Sequence, residues 1–273
     1  MEYKETKRLC KQMRLDILKM IGDASSGHPG GSLSAVELVA GVYSKMNVNP
    51  NHPDDPDRDR FVLSKGHAAP CYYAVLGELG FFDKKEFESF RQIHSVLQGH
   101  PDAKKLSGVD ASTGSLGQGI SIAVGMALGA KTANKTFHVY TLLGDGEMQE
   151  GQVWEACMAA VHYKLDNLTI MIDNNGLQID GTNEEVMTLG DLRLRLEAAG
   201  MDVIELQDGN DLHDVLNALE IASVKNKPRC ILAHTIKGKG VSFMENQVGW
   251  HGKAPSQAEL QAALNELEDK IDE

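Results

Sequence analysis

The stretch FHVYTLLGDGEMQEGQVWEACMAAVHYKLDNLTIMIDNNGLQIDG, residues 137–181, decides the fold. FHVYTLLGD and NLTIMIDNN are apolar runs of strand length, and EGQVWEACMAAVHYK between them is helical. The strands read as near-continuous apolar runs, which belongs to a parallel sheet covered on both faces. On the carboxyl side, GDLRLRLEAAG (helix), DVIELQ (strand), DLHDVLNALEIASV (helix) and CILAHT (strand) continue the alternation. On the amino side, TGSLGQG opens the small-residue helix ISIAVGMALGAKTA, and the short FVLS at 61–64 is a further strand. Strands alternating with helices predict an α/β fold, a mostly parallel sheet with helices on both faces.

Further out the pattern is helical. Residues 5–21 place Leu9, Met13, Ile17 and Met20 on one face and stop in the breaker-rich SSGHPGG at 25–31. SAVELVAGVYSKM resumes a helix, NPNHPDDPDRDR is a polar loop, and helical patterns follow at 72–79 and 84–92. The tail SQAELQAALNELEDKIDE is a helix with an acidic end. With no repeat, low-complexity tract or linker, residues 1–273 are expected to form a single domain.

The two strand tips carry the chemistry. GDGEMQEG at 144–151 and DNNGLQIDG at 173–181 each follow a strand, and ligands of open parallel sheets bind outside those ends. Gly144 and Gly146 let backbone approach a phosphate, and the helix beginning near Gln149 aims its N-terminus there. Asp145 offers a carboxylate oxygen and Asn175 an amide oxygen. Magnesium takes a few hard oxygen ligands and completes its shell from water and phosphates. Taken singly, GDG and NN are ordinary strand-end turns. Taken together, with 27 residues between Gly146 and Asn174 filled by a helix and a strand, they read as one site.

GDG, a helix-and-strand interval and then NN resemble the thiamin-diphosphate fingerprint. SSGHPGG, SKGHA, QGHPD, TGSLGQG, GDGEMQEGQVWEA, DNNGLQIDG, TIKGKG and WHGKAP stand in the order of the transketolase family, which the chain resembles over nearly its whole length. The resemblance implies thiamin diphosphate with magnesium (or calcium or manganese), bound through Asp145, Asn175 and the carbonyl of Leu177. It places Gly146, Gly114 and Leu116 against the cofactor, His67, Lys237 and His251 near its diphosphate, and Ile179 beside the thiazolium. His28, His100 and His251 resemble the histidines that face sugar hydroxyls and act in catalysis. Glu150 resembles a buried glutamate at the subunit contact. One departure is Gly31, where many relatives have a hydroxyl residue, so a cofactor contact there falls to Ser32 or disappears.

Each of His28, His67, His100 and His251 abuts glycine in a loop, and neutral imidazoles serve sugar hydroxyls and proton transfer near neutral pH. His52, His138, His162, His213 and His234 read as surface or hydrogen-bonded histidines. No pair shows the short spacing of zinc ligands. Lys237 and Lys239, in TIKGKGVS, are either solvated or bring a cation to phosphate.

The resemblance also implies what is missing. The glutamate and aromatic pocket that hold the aminopyrimidine ring, and the grip on the substrate phosphate, belong to a pyrimidine-binding domain that has no counterpart in this sequence. The chain begins at methionine and closes on a charged helix, as a gene product of a split enzyme would. The partner is therefore a C-terminal transketolase subunit, in a two-plus-two heterotetramer acting on sugar phosphates. The alternatives are a subunit of a deoxyxylulose-phosphate-synthase-like or 2-oxo-acid decarboxylase enzyme, or a non-catalytic paralogue.

A formal charge of −12 argues against nucleic acid or an anionic membrane as partner. An anionic ligand must be held by local positive groups. Hydrophobic residues, at 42%, suffice to cover a sheet on both faces. Cys10, Cys71, Cys157 and Cys230 are far apart and read as reduced core thiols, and a charged N-terminus without an apolar core fits a cytoplasmic protein.

Overall fold

The computed structural model describes residues 1–269. Five strands, β1 (Arg60–Leu63), β2 (Val139–Gly144), β3 (Leu168–Asn174), β4 (Asp202–Leu206) and β5 (Arg229–His234), form one all-parallel sheet in the order β1-β2-β3-β5-β4. The apolar runs behave as a doubly covered sheet requires. Leu142, Met171 and Ile231 join one core, while their neighbours Leu143, Ile170, Ile172 and Leu232 join the other.

The first core is closed by α1 (Tyr3–Asp23), α2 (Pro29–Ser34), α3 (Val36–Lys45) and α4 (Ala69–Glu78), and the second by α5 (Gln118–Thr132) and α6 (Gly151–His162). The expected stripe of α1, Leu9, Met13, Ile17 and Met20, is buried throughout. A short α7 (Asn183–Val186) follows β3, and α8 (Leu192–Ala198) joins the second core. Then α9 (Leu212–Glu220) and α10 (Gln257–Asp269) join the first. All four cysteines are buried and unpaired. Among the described residues no helix is long and apolar enough to cross a membrane.

Three local expectations are corrected. The helix expected at 84–92 is a 3-10 turn, Lys84–Ser89, with no buried residue. Its Phe87 and Phe90 are three apart, a spacing that suits a 3-10 turn better than the stripe of an α-helix. SSGHPGG is a loop only to His28. Pro29 opens α2, where a missing N–H costs nothing. The third is α7, whose capping box of Thr182 and Glu185 was legible but followed no apolar period. The acidic end expected of the tail, residues 270–273, lies outside the described residues.

Candidate active site

The β2–β3 ladder pairs Gly144 with Asp173, so the GDG and NN loops leave the sheet side by side. Asp145 joins them. Its Oδ1 accepts from the Gly146 N–H at 2.8 Å and its Oδ2 from the Gly176 N–H at 2.5 Å. Gly176 has φ 76°, the left-handed conformation that glycine enters without strain. The loop beyond closes through Gln178 N–H to Gly181 O at 2.9 Å and Asn183 N–H to Gly176 O at 3.0 Å. Burial pushes the Asp145 carboxyl up, helped by the Asp173 charge and opposed by the two backbone N–H groups.

Asp145, Asn175 and Leu177 border one cavity of about 340 Å3, with Gly114, Leu116, Gly144 and Gly146 on its walls. The donor set fits a divalent ion carrying a diphosphate. A carboxylate, an amide oxygen and a peptide carbonyl are hard oxygens, and they leave positions for phosphate and water. The glycines leave the backbone open to phosphate.

Two lysines lie almost wholly buried beneath this cavity, each about 1% exposed. Lys65 is committed. Its Nζ pairs with Asp173 Oδ2 and donates to Gly31 O at 2.9 Å. Burial opposes ionisation of Asp173, but Lys65, with hydroxyl donation from Ser34 and Thr235, holds the carboxyl below the usual range. Lys237 donates to neutral groups, Leu177 O at 2.9 Å and His251 Nδ1 at 2.8 Å. Burial, and then the Lys65 charge, push it down to about 8, so at neutral pH it remains mostly an ammonium facing the cavity without a paired carboxylate. Gly30 makes room for it, since a Cβ there would come within 3.0 Å of Lys237 Cγ. Lys239 stands apart, with Nζ 3.9 Å from Glu245, and does not border the cavity.

His28, His67 and His251 meet in a triangle with ring centroids 5.4, 5.7 and 5.4 Å apart. Burial first, then neighbouring cations and imidazoles, push His28 down to about 4, His251 to about 3 and His67 well below its ordinary value. All three are neutral at pH 7. An ammonium only donates, so His251 Nδ1 accepts from Lys237 and the ring carries its proton on Nε2. In an imidazole NMR titration, His28 and His251 are expected to stay neutral from pH 8 to about 5.5, while an ordinary imidazole protonates near 6.5. Midpoints near 6.5 for both would place these rings in solvent.

The remaining expected residues fall as follows. His100 is exposed at the rim and does not line the cavity; it lies over Gly114, where a Cβ would come within 3.1 Å of its ring. Ile179 borders the cavity and is 67% exposed. Glu150 also borders it and is exposed in this chain, so a buried role for it needs a partner. Ser32 faces away: its Oγ donates to His28 O at 2.7 Å, and Gly31 alone of the pair lines the cavity.

Sequence reasoning missed Lys65 and Glu147. The Glu147 carboxylate accepts from Ser64 Oγ at 2.5 Å, Gly117 N–H at 2.8 Å and Gly144 N–H at 3.1 Å, tying three site loops together. The available signal was an acid inside each motif, Asp173 ending an apolar strand and Glu147 in GDGE, since a buried acid requires partners.

Residues 5–269 match the family described as transketolase, thiamine diphosphate binding domain. The chain is 40% identical over 261 residues to one of the two kinds of subunit of the apulose-4-phosphate transketolase of Phocaeicola vulgatus, covering 95% of this chain and 92% of that one. It is 41% identical over 253 residues to a 6-deoxy-6-sulfo-D-fructose transketolase subunit of a Clostridium species, covering 92% of each. The crystal structure of a Campylobacter jejuni transketolase superposes with a TM-score of 0.92 at 33% identity, over 98% of this chain and 43% of that one. The chain thus spans about two-fifths of the length of such solved proteins.

Proposed function

Because the chain belongs to the transketolase family, through its thiamine diphosphate binding domain, we propose that it is the N-terminal subunit of a split transketolase. In complex with a second subunit it moves a two-carbon ketol unit from a ketose phosphate to an aldose phosphate. Residues 1–273 form its single diphosphate-binding domain, and the pyrimidine-binding domain comes from the partner in a two-plus-two assembly. Support for the split comes from relatives of nearly the same length that are named as subunits. The observation that carries the chemistry is that Asp145, Asn175 and Leu177 border one cavity together with Lys237 and three neutral histidines.

Thiamin diphosphate, when bound, supplies stabilisation of a carbanion, while protein supplies orientation and electrostatics. Asp145, Asn175 and the Leu177 carbonyl hold its magnesium. Lys237 and the Gly146 backbone meet the diphosphate, and His67 flanks it. Leu116 and Ile179 form an apolar wall that keeps water from the thiazolium. His251, with its proton on Nε2, and His28 donate to sugar hydroxyls or exchange protons with them, and His100 reaches the sugar from the rim. Glu150 becomes buried at the subunit contact.

Mixing the chain with a pyrimidine-binding partner, magnesium and thiamin diphosphate should give ketol transfer, and light scattering should give two copies of each chain. Robust turnover by this chain alone would refute the split; turnover only on 2-oxo acids would refute the transferase. His100→Ala should raise KM for the sugar about tenfold, the worth of one hydrogen bond, with cofactor affinity unchanged. Unaltered sugar kinetics would remove His100 from the site.

A further inference from the structure

The carboxyl ends of β3, β4 and β5 border a second cleft, of about 350 Å3. Asn174 and Gly176 line it, whereas Asn175 and Leu177 line the cofactor cavity. The NN loop is therefore a wall shared by two spaces, its residues alternating between them.

A line of side chains crosses this second cleft. His234 lies opposite Asn174 in the β3–β5 ladder. Its Nδ1 is 3.2 Å from Asn174 Nδ2 and its Nε2 is 2.8 Å from Glu205 Oε1 on β4. The other Glu205 oxygen accepts from Arg193 on α8 at 3.1 Å. Hydrogen bonding from His234, and then from Arg193, holds the Glu205 carboxyl below its usual range despite some burial. A carboxylate only accepts, so a neutral His234 carries its proton on Nε2. Its Nδ1 then accepts, and Asn174 must present its NH2 group rather than its oxygen. Proton inventory alone fixes the direction of the Asn174 amide.

Asn174 is the last residue of β3, and its carbonyl accepts from Thr235 N–H at 3.2 Å. Immediately beyond it the chain turns through the left-handed Gly176. We propose that His234 is a positioning residue: anchored by Glu205, it fixes Asn174 from the rear cleft and so holds residues 175–177 where their oxygens meet the metal. The consequence for metal rests on the function proposed above, whereas the positioning is readable without cofactor.

The test compares His234→Ala with His234→Asn in the full chain. The asparagine side-chain oxygen takes the place of Nδ1 and still accepts from Asn174. Without cofactor, His234→Ala should speed amide exchange at Gly176 and Leu177 at least tenfold with little change in Tm, and His234→Asn should restore most of the protection. With thiamin diphosphate present, a magnesium titration followed by intrinsic fluorescence should show the apparent Kd raised about ten- to a hundredfold for alanine, as for other groups that orient metal ligands, and largely rescued by asparagine. Unchanged exchange in His234→Ala overturns the proposal. So does equal loss in both variants, or a global fall in Tm that accounts for the faster exchange. If the wild-type chain takes up no magnesium and cofactor while exchange responds as stated, the metal assignment fails and the positioning role stands.

Discussion

Asp145→Ala is expected to abolish magnesium-dependent binding of thiamin diphosphate. The carboxylate has two tasks, supplying the charged oxygen of the ligand set and joining the two loops by accepting from Gly146 and Gly176. Alanine removes the charge and leaves two backbone donors without their partner. The apo variant should therefore lose about 1–3 kcal/mol of stability while keeping the fold. With cofactor and magnesium at a hundred times Kd, the wild-type chain should gain about 2.7 kcal/mol. For a domain of this size that is roughly 5–10 °C in Tm. The variant should gain nothing. A ligand-induced rise in Tm equal to that of wild type would remove Asp145 from the metal site.

Lys65→Met should be the most destabilising single change at the site, at about 3–5 kcal/mol, because it strands a buried carboxylate. Asp173 is fully buried, and without Lys65 it keeps only the hydroxyls of Ser34 and Thr235. The loss should appear as a lower urea midpoint at unchanged m. Lys65→Met combined with Asp173→Leu should recover much of it, since no unpaired charge then remains. A single variant within about 1 kcal/mol of wild type would show that this pair does not secure the floor of the cavity. Removing Lys65 should also let the Lys237 amine rise from about 8, because the neighbouring charge is part of what depresses it.

Most of the sheet was legible because its strands are unbroken apolar runs, and burial on both faces leaves no other home for them. Short elements were less so. The 3-10 turn at Lys84–Ser89 and the four-residue α7 are set by local capping and by their neighbours, not by a period long enough to read. In the site, Asp145, Gly146 and Asn175 could be named because each lies in a motif a few residues long at a strand end. The triangle of His28, His67 and His251 and the ordering of the two lysines could not, because each depends on loops that meet only after folding.

By itself, the sequence determined the layered α/β arrangement, the family and the oxygen donors at two strand tips. These follow from hydrophobic period and strand-end chemistry, which are local. Only the tertiary structure decided that Lys65 is consumed by Asp173, 108 residues away, while Lys237 is left to face an anion. It likewise decided that His234, an ordinary histidine in the chain, lies behind the metal loop. Charge pairing and desolvation act through distances in space, and no spacing along the chain encodes them.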